Sequence, residues 1–347
     1  MKGLRKYLTP FAPDQSGASS VFYELGGIIV ICDAGGCAGN VCGFDEPRWF
    51  TQRSAVFSAG LRDMDAILGR DDRLVAKLAD AAGKLDAKFA VVVGTPVPAV
   101  IGTDYRALKR LAEKKLTVPV MAVDTTGMAL YDEGAEKAWT ELVRTFADRP
   151  APVEKGRIGV LGLSPLEVSD LHYAEKLTAL LKARGWQKVS CYGMGSGLDE
   201  LATAAAAERN IAVSPSGLKA AKRLEELYGT PFDVEDPLAA AMLPDGDFRG
   251  KKVLVMHQQV TANSLRSELR RRGCSDVCVA TWFMKKAELA EAGDLHLTEE
   301  DQLEELAAQG GYDVVVADPA FRRAMPAFAG EFVNAPHFAV SGKLNSL

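Results

Sequence analysis

Short runs of apolar, β-branched residues recur along the chain, and each is followed by a stretch with helical spacing. Ile28-Ile29-Val30-Ile31, within 27–32, is the first; Phe89-Ala90-Val91-Val92-Val93-Gly94 and the run over 118–124 are the next two. Runs of this length bounded by turn residues read as parallel strands covered on both faces. Between them Leu74, Val75, Leu78, Ala81, Ala82 and Leu85 fall on one side of a helix predicted over 71–85. Helices are also predicted over 103–114 and 131–146. Residues 1 to about 25 read as an irregular lead-in with a short helix, and 60–69 as loop and turn.

Pro150 and Pro152 cannot continue a helix, so 147–152 reads as a linker. The rhythm then repeats, with strands expected over 157–163, 188–192 and 211–213 and helices over 170–184, 198–209 and 217–228. A proline- and acid-rich connection follows over 231–247. Strands over 252–256, 276–280 and 313–317, with helices over 262–272 and 299–309, complete the pattern. The fold class is therefore α/β: three tandem Rossmann-like units, each a parallel sheet flanked by helices. Their expected bounds are 1–150, 151–245 and 246–347.

Composition narrows the function without naming it. At 347 residues the chain is too long for one ordinary core. Its 48% hydrophobic and 25% charged residues are those of a globular protein. A net charge of -5 without a basic block argues against nucleic acid or an anionic membrane as partner. No run approaches the roughly 20 apolar residues of a membrane span. The opening Met1-Lys2-Gly3-Leu4-Arg5-Lys6-Tyr7 has no apolar core behind it and does not read as a signal peptide. Six unevenly placed cysteines do not make a disulfide framework, which places the chain in a reducing compartment, the cytoplasm.

Candidate chemistry concentrates between Gly26 and Pro47. There the first apolar run enters a glycine-rich loop carrying Cys32, Cys37 and Cys42, half of the six cysteines. Thiols at the carboxyl end of a parallel strand suit a soft metal, an iron–sulfur cluster, a redox pair or a nucleophile. Small buried thiols without a metal are the plainer alternative. Cys274 and Cys278 read as core, and Cys191 as core rather than cleft.

Strand ends in the second and third units offer Ser164, the turn Gly193-Met194-Gly195-Ser196-Gly197, Ser214, Ser216, His257, Gln258 and Asp318. Gly195, Ser196 and Gly197 could hold an anion on helix amides, or form a plain strand-to-helix turn. His257 is the best-placed proton donor, its alternative being a hydrogen-bonded loop histidine. His172 and His296 read as surface residues. No Gly-x-x-x-x-Gly-Lys-Ser/Thr loop for ATP is present.

Several of these stretches resemble the nitrogenase component 1 family, which includes dark-operative protochlorophyllide reductase and the nickel-sphyrnochlorinate reductases. Asp33-Ala34-Gly35-Gly36-Cys37 stands where the family has His-Gly-x-x-Gly-Cys. Thr95-Pro96 stands for its Thr-Cys, ahead of Ile101-Gly102-Thr103-Asp104, and Phe11-Ala12-Pro13 to Ala18 for its Cys-x-Pro-x-x-Gly-Ala. Asp65-Ala66-Ile67-Leu68-Gly69 and Gly193–Leu201 resemble two further family segments. Of three cluster cysteines only Cys37 is kept, with Cys32 and Cys42 added, so an eight-iron cluster is not implied.

The resemblance implies three α/β units and a [4Fe–4S] cluster on Cys32, Cys37 and Cys42, held by one chain or across a homodimer whose interface lies in the first unit. It also implies low-potential electrons from a separate ATP-dependent iron protein. These would reach a small-molecule or tetrapyrrole-like substrate in the inter-domain cleft. A non-catalytic metallocofactor carrier or assembly scaffold of the same fold is the alternative.

Overall fold

A computed structural model describes residues 5–147 and 149–345, without the side chains of Ala66 and Ile67. The opening Met1-Lys2-Gly3-Leu4 and the linker residue Asp148 lie outside that range. Among the described residues thirteen strands form three sheets. The first contains β1 (Ile28–Ile31), β2 (Ala55–Ser58), β3 (Ala90–Val93) and β4 (Val120–Val123) in the order β2-β1-β3-β4. The second contains β5 (Glu154–Leu161), β6 (Lys188–Cys191), β7 (Ala207–Ala212) and β8 (Phe232–Val234) in the order β6-β5-β7-β8.

The third contains β9 (Lys252–Met256), β10 (Asp276–Thr281), β11 (Leu295–His296), β12 (Val314–Ala317) and β13 (Glu331–Asn334) in the order β11-β10-β9-β12-β13. Every strand pair is parallel. In each sheet the strand order reverses once, beside β1, β5 and β9. Doubly wound sheets place ligands outside the strand ends at such reversals. The apolar runs at β1, β3 and β12 are central strands buried on both faces as expected, while the run over 118–124 forms the edge strand β4.

The cores are unequally shared. Phe22, Ile29, Phe89 and Trp139 beside the first sheet pack in one cluster with Tyr192, Leu201 and Leu224 beside the second. The third sheet has its own core around Val253, Leu265 and Val316. Its other face meets the rest of the chain through Leu8, Phe11, Ala12, Tyr131 and Leu166. The first two sheets are thus fused by apolar packing, and the third is seated on them.

Helix Asp14–Phe22 is buried along its whole length against helix Tyr131–Phe146. A Cβ on Gly17 would lie 1.8 Å from the Tyr131 carbonyl oxygen, and one on Gly134 1.8 Å from that of Asp14. Two facing glycines let the backbones touch.

The strands unforeseen from the sequence, β2, β8, β11 and β13, are all sheet edges. An edge strand is partly solvated and shows no continuous apolar run. Residues 63–68 form a helix rather than loop. The helix expected over 198–209 stops at Ala202, and Ala207–Ala212 becomes β7. Pairing with β5 and β8 outweighs the helix propensity of the alanines there.

Candidate functional site

The reversal of the first sheet lies between β1 and β3, and the cysteine loop leaves β1 there. Cys32 turns back into the core with Ala59 and Leu74 and is 2% exposed. Asp33 then holds the loop: Oδ2 accepts from the Ala38 amide at 2.7 Å and Oδ1 from the Ser58 hydroxyl at 2.6 Å. The first bond caps helix Gly36–Asn40. Gly35 has φ +123°, which is why glycine occupies the turn.

Cys37, on that helix, is half-buried and lies against the Thr95 hydroxyl, which itself donates to the Cys32 carbonyl at 2.8 Å. A π-helical segment, Val41–Asp45, follows and carries the half-buried Cys42. Such segments recur at functional sites. Asp45 ties it down, its Oδ2 accepting from Ser16 Oγ at 2.6 Å and Asn40 Nδ2 at 2.7 Å.

All three thiols are pushed up from their ordinary value, burial being the largest cause. Burial, then Asp71 and Asp33, push Cys32 up to about 12. Burial, then Glu46 and Asp33, push Cys42 up to about 11. Burial and Asp33 also raise Cys37, against the Thr95 contact. A free thiolate nucleophile is disfavoured in these surroundings; a bound cation would supply the missing positive charge and release the protons.

Arg48, 0% exposed, ties the loop to the second sheet. Its Nε and Nη2 each donate to Glu46 at 2.7 Å. Nη2 also reaches the Ser20 carbonyl at 2.7 Å, and Nη1 reaches Glu24 at 2.9 Å and the Gly193 carbonyl at 3.1 Å. Glu24 Oε2 in turn accepts the Gly195 amide at 2.8 Å, and Glu200 Oε2 that of Gly197 at 3.1 Å. Carboxylates of the chain itself therefore take the two amides, and the Ser196 amide bonds the Cys191 carbonyl. The turn works as a clamp between the first two sheets.

The remaining predicted residues lie elsewhere. Ser164 and His257 are buried at the second and third reversals, apart from the thiols. His257 Nδ1 accepts from the Gln258 amide and Nε2 donates to the Pro336 carbonyl at 3.2 Å, so both nitrogens are engaged by backbone. Burial lowers its pKa to about 4. Cys191 and Cys274 are buried, as read from the sequence, and Cys278 is half-buried.

Sequence reasoning missed Arg48, Glu24 and the buried trio Tyr131, Glu167 and His337. Glu24 and Glu167, single acids flanked by apolar residues, were the signal the sequence offered.

The two positions where the family has further cysteines are packed. Phe11 sits in an aromatic box with Trp282 and Phe283, each 5.6 Å away between centroids, and Phe321 at 6.0 Å, under the Arg5 guanidinium. Pro96 opens helix Pro96–Val100. Among the described residues no three His, Cys, Asp or Glu side chains converge to hold a metal ion. One copy of the chain presents two half-buried thiols on this face, which does not fit a whole cluster but fits a share of one.

The face around them is apolar. Phe44 is 73% exposed, and Val100 and Met128 86% each. A cleft of about 660 Å³, lined by Arg5, Phe11, Asn40, Phe44, Met128 and Phe338, runs beside the loop. Unpartnered apolar surface of this kind marks an interaction face.

Three doubly wound parallel sheets, with thiols at the first reversal, define an α/β chain of the Rossmann-like kind. A model of nitrogenase component 1 type oxidoreductases matches residues 15–241, and the chain belongs to that family. The nitrogenase iron-molybdenum cofactor biosynthesis protein NifE of Clostridium pasteurianum is 28% identical over 181 residues, covering 51% of this chain and 38% of that protein. NifE of Klebsiella pneumoniae is 26% identical over 246 residues, covering 62% and 53%.

The chain thus spans about half or less of the length of these curated relatives. The solved structure of nitrogenase Cp1 at pH 6.5 superposes with a TM-score of 0.74 at 12% identity, covering 100% of this chain and 88% of that one, a likeness of fold. Among the described residues no helix is long and apolar enough to cross a membrane.

Proposed function

We propose that this chain is a carrier for a metal–sulfur cluster rather than an enzyme with an internal substrate site. The family's association with such clusters, and relatives named for cofactor biosynthesis, support this reading. The observation that carries it is the half-buried Cys37 at the first reversal, set in an exposed apolar face. In this reading two copies meet on that face, and Cys37 and Cys42 of each supply four thiolates to one [4Fe–4S] cluster. Cys32 faces the core and takes no part.

The reductase reading needs electrons from an ATP-dependent iron protein and an open substrate space beside His257. The closed surroundings of His257 and Ser164 favour the carrier. Light scattering after anaerobic reconstitution with iron and sulfide is the check. The loaded chain should run as two copies and the Cys37→Ala variant as one; a loaded chain that stays single overturns the shared site.

A further inference from the structure

The second and third reversals meet in a buried polar knot to which all three parts of the fold contribute. Tyr131 opens helix Tyr131–Phe146, and Glu167 lies in the short helix Pro165–Val168 after β5. His257 follows β9 and His337 follows β13. The Tyr131 hydroxyl is 2.6 Å from Glu167 Oε2 and 2.8 Å from His337 Nε2. Ser216 Oγ donates to Glu167 Oε1 at 3.3 Å, with Ser214 Oγ 2.7 Å behind it. The two imidazoles stack with centroids 4.3 Å apart. All of these side chains are buried.

Among the described residues no cation pairs with Glu167. Its neighbours are the three hydroxyls of Tyr131, Ser214 and Ser216, and the charge that acts on it most is another carboxyl, Asp132, which accepts the Met284 amide at 2.6 Å. His257 is neutral by its backbone bonds, and Asp318 meets His337 only through the backbone amide at 2.8 Å. A buried carboxyl with hydroxyl partners and no positive charge keeps its proton, since an unpaired buried charge is costly.

We propose that Glu167 is a protonated carboxyl in the closed chain, and that its ionisation is a latch that loosens the third sheet from the other two. With the proton in place, Glu167 donates to Tyr131 and Tyr131 donates to His337, one line of bonds crossing all three parts. Losing it reverses that line and strands a negative charge beside Asp132. The seam that opens is the one that Leu8, Phe11, Ala12, Tyr131 and Leu166 make with the third sheet, which the knot adjoins through Tyr131 itself.

Burial and Asp132, against the hydroxyl bonds, lift Glu167 from 4.5 to about 8. A raised carboxyl favours closure below its unfolded value and loses that contribution as pH rises towards 8. The imidazoles work the other way, since burial depresses both, and their contribution fails only below 6.5. Asp132, lifted to about 6, is likewise spent below that window. Of Glu167, Asp132 and the two imidazoles, Glu167 is the group that titrates between pH 6.5 and 8.

Hydrogen-exchange protection factors of β9 and β12 read the opening, with the intrinsic pH dependence of exchange divided out. In the wild-type chain the open population should rise about tenfold per pH unit at first and less steeply near pH 8, roughly fifteenfold in all from pH 6.5 to 8. Glu167→Gln, which mimics the protonated carboxyl, should flatten that rise. Tyr131→Phe removes a donor to the carboxylate and should move the transition to higher pH. The proposal is overturned if Glu167→Gln opens with the wild-type profile. Should that variant not fold, an unmoved transition in Tyr131→Phe overturns it instead.

Discussion

Replacing Arg48 with alanine should lower the unfolding free energy by about 3–5 kcal/mol, the usual cost of breaking a buried ion pair from one side. Glu46 is almost fully buried and Glu24 mostly so, and both would lose their cation. The Gly193 and Ser20 carbonyls would lose their donor as well. Arg48→Lys should recover little, because a single ammonium cannot reproduce the fork that serves two carboxylates and two carbonyls. The loss should change little with added salt, which screens exposed pairs far more than buried ones. Urea unfolding of wild type and variant reads the difference directly. A loss below about 1 kcal/mol, the range of a surface salt bridge, would mean the cluster does not hold the loop to the second sheet.

The second large effect is expected at the crossing of helices Asp14–Phe22 and Tyr131–Phe146. Gly17→Ala puts a methyl group 1.8 Å from a carbonyl oxygen that belongs to backbone, not to a yielding side chain. Overpacking typically costs 1–3 kcal/mol, and this position should reach about 3 kcal/mol. Gly134→Ala should do the same from the other helix. The double variant should cost less than the sum, because helices already parted by one methyl have room for the next. Parting them draws Ser16 away from Asp45 and so frees the segment carrying Cys42. Thermal unfolding of the three variants checks the pattern. Full additivity would show that the two glycines do not share one contact.

The central strands and most helices were legible because their burial is written as periodicity. Val91-Val92-Val93 and Val314-Val315-Val316 are covered on both faces and can be little else. The cysteine loop was legible for the same reason: it leaves one of those strands at the reversal of its sheet, where α/β folds gather function.

What stayed hidden depends on partners distant in sequence. Arg48 takes its meaning from Gly193, and Tyr131 from Glu167 and His337, none of which is close in number. The glycine turn at Gly193–Gly197 looked free to bind an anion because nothing nearby in the chain shows that Glu24 already takes the Gly195 amide. Cys32 and Cys37 look alike in the sequence, but the first directly follows β1 and turns into the core, while the second rides the short helix Gly36–Asn40 and is half-buried.

The carrier reading rests on Cys37 and Cys42 serving a shared cluster, and iron counting addresses it most directly. Iron and acid-labile sulfide per chain should be measured in anaerobically purified or reconstituted protein, for the wild type and for Cys32→Ala and Cys37→Ala. One cluster shared by two copies predicts roughly two irons and two sulfides per chain. They should persist in Cys32→Ala, whose thiol is buried, and vanish in Cys37→Ala. Iron absent from the reconstituted wild type, or undiminished in Cys37→Ala, would contradict the account.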